Sequence, residues 1–198
     1  MICICLESFG TTRWEVFLII NMKPTLFVQE SRFRDQRGYF YEAYKQSHLL
    51  DGYGFKEKFI QDNISVSKKN VIRGMHYQWD LPMGKLVRVI KGEIMDVAVD
   101  IRKNSAAFGK KFYYTLSEEN GSSLYIPPGF AHGFVSKKNE SVVLYKCTSE
   151  YNRNGESGIN PFDSTLNIEW GISIDQAILS EKDKISKSFK EYKNNPAF

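Results

Sequence analysis

Histidine is scarce in this chain: three in 198 residues, at His48, His76 and His132. A divalent metal site in a small β-barrel generally draws on three protein ligands. His76 has no His-x-His neighbour and His132 sits among glycine and aromatics, so no metal is expected. Cysteine is equally sparse. Cys3, Cys5 and Cys147 give an odd count with no paired ligand spacing, which reads as free thiols in a reducing cytoplasm. A membrane-spanning run is missing from the start of the chain, where Met1–Asn21 holds only the five apolar residues Val16–Ile20, without the basic start or small-residue cleavage site of a signal peptide. Concentrated charge is missing too: the net charge is +4 and the lysines are scattered, so no nucleic-acid footprint is visible, although a mildly basic balance suits an anionic small molecule. There are no repeats, low-complexity tracts or interdomain linkers.

What is abundant is aromatic and β-branched sequence in short runs. With 14 Phe and 11 Tyr and a length that fits one domain, the favoured class is all-β. Extended segments are expected at Leu26–Val28 and Gly38–Tyr44, separated by a charged turn over Arg32–Arg37, and a short helical piece over Lys45–Gly54 that contains an exposed His48. Further strands are expected at 58–66, 71–78, 85–91, 93–101, 111–116, 122–126, 133–136 and 142–148, broken by turn chemistry such as Asn120-Gly121 and Pro127-Pro128-Gly129. Strands at this spacing predict a double-sheet jelly roll or small barrel. A loop-like stretch to Pro161, an apolar run at Leu166–Trp170 and a tail over Ser180–Tyr192, helical or irregular across the barrel mouth, complete the chain. Met22-Lys23-Pro24 reads like a fresh beginning, so residues 1–21 are taken as an N-terminal extension, either an upstream-start addition or a strand added to the sheet edge, and 22–198 as one domain.

Chemistry is concentrated in two runs. Asn70–Gln78 and Gly84–Gly92 place His76 and Lys85 where neighbouring strands could point both into one cavity. A histidine whose second ring nitrogen meets a carboxylate can act as base, a lysine can stabilise an oxyanion, and a tyrosine can return a proton from another side. His76, Lys85 and Tyr145 suit those roles, with Tyr145 on the strand face opposite Leu144 and Lys146. Taken singly, a strand tyrosine is more often core and a strand lysine more often solvated. Arg73 and His76 face opposite sides unless Gly74 marks a bulge.

Several strings, in this order and spacing, resemble the dTDP-4-dehydrorhamnose 3,5-epimerase family: Asp35–Glu42, Gln61–Asn63, Val71–Gln78, Gly84–Val87, Gly92–Arg102, Ile126–Phe134 and Tyr145–Cys147 running on to Tyr151-Asn152. The resemblance covers about Thr25 to Phe189. It implies a cupin-like double-stranded β-helix with short helices, and inversion at C3 and C5 of dTDP-4-dehydro-6-deoxy-D-glucose on the route to dTDP-rhamnose, without a cofactor. By resemblance His76 is the base, Asp183 its carboxylate, Tyr145 the acid and Lys85 the residue steadying the enolate. Arg73 and His132 are further active-site groups. Arg37, Phe40, Glu42, Gln61, Asn63 and Glu156 match substrate contacts, and Tyr151 matches the aromatic that stacks on the thymine. It also implies a homodimer in which exchanged N-terminal strands bring some contacts from the partner subunit. Met83 and Asn160–Thr165 depart from the family pattern. The remaining alternatives are a mono-epimerase on a related 4-keto sugar, a 3,4-ketoisomerase, a non-catalytic sugar-nucleotide binder and a metal-dependent oxygenase. The first and third are separated from the full epimerase by the number of carbons that exchange.

Overall fold

The computed structural model describes residues 26–29, 32–47, 49 and 55–198. The expected extension at 1–21, Cys3, Cys5, His48 and the glycines closing the first helical piece lie outside the described residues; Gln46, Ser47 and Leu49 are helical. In chain order the strands are β1 (Leu26–Gln29), β2 (Phe33–Asp35), β3 (Gly38–Phe40), β4 (Gln61–Ser67), β5 (Ile72–Gln78), β6 (Lys85–Lys91), β7 (Glu93–Asp100), β8 (Lys111–Ser117), β9 (Ser122–Ile126), β10 (Phe130–Ser136), β11 (Ser141–Cys147) and β12 (Glu156–Gly158). A 3-10 turn at Ile174–Gln176 and two short helices, α1 (Glu181–Lys184) and α2 (Phe189–Asn194), form the tail. Among the described residues no helix is long and apolar enough to cross a membrane.

Two antiparallel sheets face each other, ordered β1-β9-β6-β11-β4 and β12-β5-β10-β7-β8, and β2 pairs with β3 as a separate hairpin. This is the jelly roll expected from the strand spacing. The charged turn is shorter than read, because Phe33–Asp35 pairs with Gly38–Phe40 and only Gln36 and Arg37 turn.

Three apolar layers explain the sequence pattern. Val87, Val89, Ile94, Ala98, Leu124, Phe134 and Val143 fill the space between the sheets. The outer face of the second sheet is covered by the tail: Val97, Val99, Ala131 and Val135 meet Trp170, Phe189 and Tyr192. β7 and β10 are thus buried on both faces, which is why they read as apolar runs with little alternation. The first sheet's outer face carries Val28, Leu49, Phe55, Leu86 and Tyr125.

The tail is pinned by polar groups. Buried Asp163, in the segment that departs from the family pattern, accepts from the Thr165 and Leu166 amides through Oδ1 at 2.9 and 2.8 Å and from the Phe189 amide through Oδ2 at 2.9 Å, which ties the loop to the first turn of α2. Tyr192 donates its hydroxyl to the Ile101 carbonyl at 2.7 Å, and the Trp170 indole donates to the Pro161 carbonyl at 2.7 Å. Leu166, Ile168 and Trp170 alternate into the core as a strand would, yet the segment forms no ladder, since it lies across the sheet face.

Candidate active site

A cavity of about 500 Å³ opens between the two sheets, within the range usual for small-molecule sites. Arg73 and His76 reach it from β5, Lys85 from β6, His132 from β10, Tyr145 from β11 and Ser65 from β4, and Glu156, Lys182 and Asp183 close its rim. His76 and Lys85 share the cavity, and they reach it from strands of facing sheets. The base and the lysine therefore sit on opposite walls.

The odd spacing of Arg73 and His76 is resolved at Gly74. The β5–β10 register pairs His132 with His76 but Phe134 with Arg73, a shift that puts both β5 side chains on the cavity side while Ile72, Met75 and Tyr77 face the tail. Gly74 has φ +135, and a Cβ there would stand 2.5 Å from the Gly133 backbone, so only glycine allows this close approach.

His76 Nε2 lies 2.6 Å from Asp183 Oδ1. Ser180 caps α1 by accepting from the Asp183 amide at 3.1 Å, and this orients the carboxylate. Burial pushes the Asp183 carboxyl up, but the hydrogen bond and charge of His76, with Ser180 and the Gly74 amide, outweigh it and hold the group below its ordinary value. Asp183 is thus an anion fixed against one ring nitrogen, and Nδ1 is left for other chemistry.

On the facing wall, burial lowers the Lys85 pKa from its ordinary value, opposed by Cys147, Glu156 and Asp96. Burial raises the Tyr145 hydroxyl, so it keeps its proton at neutral pH. Cys147, a buried free thiol opposite Lys85 in the ladder, accepts from Asn63 Nδ2 at 3.4 Å. His132 is nearly closed off from solvent, and its Nε2 lies 2.8 Å from Oδ2 of fully buried Asp96. Sequence reading missed Asp96. Its signal was a lone carboxylate inside Ile94–Val99, an otherwise apolar strand run where a charge needs a partner.

The remaining residues divide into two groups. Glu156 accepts from Lys182 Nζ at 2.5 Å and from the Tyr151 hydroxyl at 2.8 Å, while Gln61 accepts from the Tyr151 amide at 2.8 Å, so Tyr151, Gln61, Asn63 and Glu156 form one rim. Lys182, also missed, stands one residue before Asp183 and brings a cation to that rim. Arg37, Phe40 and Glu42 are not brought to this cavity: they are exposed on and just after the β2–β3 hairpin, with Arg37 paired to Asp35. Within the chain the cavity draws its positive charge from Arg73, Lys85 and Lys182, without Arg37. Among the described residues no three His, Cys, Asp or Glu side chains converge as a metal cluster would.

The profile of a protein family described as dTDP-4-dehydrorhamnose 3,5-epimerase matches residues 20–191. A protein of Methanothermobacter thermautotrophicus bearing that name is 40% identical over 183 residues, which cover 92% of this chain and 97% of that protein. One of the same name from Shigella flexneri is 44% identical over 168 residues, 84% of this chain and 92% of that protein. The dTDP-6-deoxy-D-glucose-3,5-epimerase of Legionella pneumophila, solved in complex with dTDP-4-keto-L-rhamnose, superposes with a TM-score of 0.81 at 40% identity, covering 84% of this chain and 88% of that one. A match that runs through both sheets and into α2 leaves the family in no doubt: this chain belongs to the dTDP-4-dehydrorhamnose 3,5-epimerases.

Proposed function

We propose that this protein is an isomerase that inverts C3 and C5 of dTDP-4-dehydro-6-deoxy-D-glucose to give dTDP-4-dehydro-L-rhamnose. The observation that carries this reading is the placement of the His76–Asp183 pair and the protonated Tyr145 on facing sheets across one cavity, with Lys85 beside Tyr145 on its wall. The ketone at C4 acidifies the C–H bonds at C3 and C5. His76 takes the proton from one face, the electron pair moves onto O4, and Lys85 with His132 steadies the enolate. Tyr145 then delivers a proton to the opposite face and is recharged from solvent. Two such cycles invert two centres. No electrons leave the substrate, so the chemistry needs no redox cofactor. Arg73 and Lys182 supply positive charge for the diphosphate, and Gln61, Asn63, Glu156 and Tyr151 hold the nucleotide end. Arg37, Phe40 and Glu42 serve the site of the partner subunit in a cytoplasmic homodimer.

The test is turnover of the nucleotide sugar in heavy water. Deuterium enters at both C3 and C5, with C3 labelled at least as fast, and Tyr145→Phe lowers net inversion more than exchange because His76 still removes and returns a proton on its own face. Label at C3 alone would make the protein a 3-epimerase. Tight binding without label at either carbon would make it a binder.

A further inference from the structure

The wall built by β4 and β11 carries a polar side chain that the reaction above leaves unused and that has no partner among the described residues. Ser65 on β4 lies opposite Val143 on β11, and Asn63 lies opposite Tyr145, so Ser65 stands beside Tyr145 on the cavity side. The other inward residues of β4 have partners. Asn63 donates to Cys147 Sγ at 3.4 Å, and Ser67 Oγ accepts from Arg73 Nε at 3.0 Å. The Ser65 hydroxyl is shut off from solvent and meets no hydrogen-bond partner among the described residues.

A buried hydroxyl without a partner forfeits its bonds to water and gains none in return. Alanine at the same place would avoid that cost. The side chain is nevertheless one staggered χ1 step away from other orientations along a wall that faces the cavity. A group that destabilises the ligand-free fold is satisfied once a bound molecule supplies the missing partner.

We propose that Ser65 is a specificity-determining contact with the sugar ring, sharing a hydrogen bond with the hydroxyl at C2. The inference rests on the epimerase reading. In a 4-keto-6-deoxyhexose linked through C1 to a diphosphate, C4 is a ketone and C6 a methyl, so hydroxyls remain only at C2 and C3. The C3 hydroxyl changes sides when its carbon inverts. The C2 hydroxyl keeps its configuration throughout, which makes it the one ring hydroxyl able to hold the sugar in register beside Tyr145 during both proton transfers.

The test compares wild type and Ser65→Ala on the nucleotide sugar and on its 2-deoxy analogue, with thermal unfolding of both ligand-free proteins. Ser65→Ala unfolds at the same temperature or higher, loses roughly ten-fold in kcat/KM on the full substrate, and matches wild type on the 2-deoxy analogue, because the hydroxyl and the serine form one interaction. Equal activity of the two proteins on the full substrate overturns the inference. So does an equal loss on both substrates, and so does a lowered unfolding temperature without the substrate-dependent difference, which marks a purely structural serine. Wild-type turnover in the same assay separates the two readings: if wild type fails to turn over the sugar, the epimerase reading itself falls and takes this inference with it.

Discussion

Asp183 and Lys85 exert opposite effects on the stability of the fold. Asp183 is held below its ordinary pKa, so it stabilises the folded state above the carboxylate range and loses that contribution as pH falls through its folded value. Asp183→Asn keeps the shape of the side chain but removes the anion against His76, and turnover drops by orders of magnitude while substrate still binds. Steady-state kinetics beside a binding isotherm check this, and near-normal turnover would mean that another group orients the histidine. Lys85 is held below its ordinary value by burial, so the folded state binds fewer protons than the unfolded chain between its folded pKa and that ordinary value. Stability contributed at this residue rises with pH across that window. Lys85→Met therefore unfolds at a higher temperature than wild type at pH 7, the gap narrows as pH rises toward the ordinary lysine value, and kcat falls by about 10²–10³ with loss of the oxyanion partner. A thermal-shift series in pH and a rate assay read both halves. A lower unfolding temperature at pH 7 would show that the ammonium stabilises the fold.

At the level of elements, the tail is the segment whose role depends most on a few polar groups. Asp163 joins the 163–166 loop to the start of α2 by accepting from two amides of the loop and from the Phe189 amide. Asp163→Ala leaves those amides without their acceptor and costs at least about 2 kcal/mol in denaturant unfolding, with a fall in kcat as the chain that presents Asp183 loosens. Asp163→Asn keeps an acceptor oxygen and loses less. An unchanged unfolding midpoint would remove this anchor from the account. Elements of this kind were the least legible in the sequence. The strands of the two sheets could be read because turn residues bracket them, and β6 and β9 fall where the pattern put them, at 85–91 and 122–126. The face of Tyr145 followed from alternation. Leu166–Trp170 alternates buried apolar with exposed polar residues, but alternation reports burial on one side and says nothing about pairing. Asp96 and Lys182 escaped because their importance lies in neighbours distant in sequence: Asp96 meets His132 36 residues away and Lys182 meets Glu156 26 residues away. The side of the jelly roll from which each site residue arrives was equally hidden, since His76 and Lys85 are close in sequence yet belong to facing sheets.

For the whole molecule the question is which chain completes each cavity. The β2–β3 hairpin holds Phe33 at 62% and Phe40 at 68% exposure, and the outer face of edge strand β4 holds Ile64 at 69% and Val66 at 58%. Apolar side chains so exposed, next to a strand edge that is unpaired among the described residues, are the kind of surface a second copy covers. Within one chain Arg37 and Phe40 lie away from the cavity formed by His76 and Lys85, so a role for them in substrate binding requires the neighbouring subunit. The expected assembly is a homodimer in which each hairpin serves the partner's cavity, and subunit mixing tests it more sharply than size alone. His76→Ala and Arg37→Ala are each poorly active as homodimers, the first through loss of the base and the second through weakened diphosphate binding. In a mixed dimer one site combines both lesions, but the other has an intact His76 from its own chain and an intact Arg37 from its partner. Unfolding and refolding the two variants together should therefore restore activity well above the average of the separate proteins, since about half of randomly paired dimers carry one complete site. If Arg37 acts within its own chain, every site in the mixture keeps one lesion and no activity returns. A monomer in sedimentation with full turnover would exclude the shared site outright.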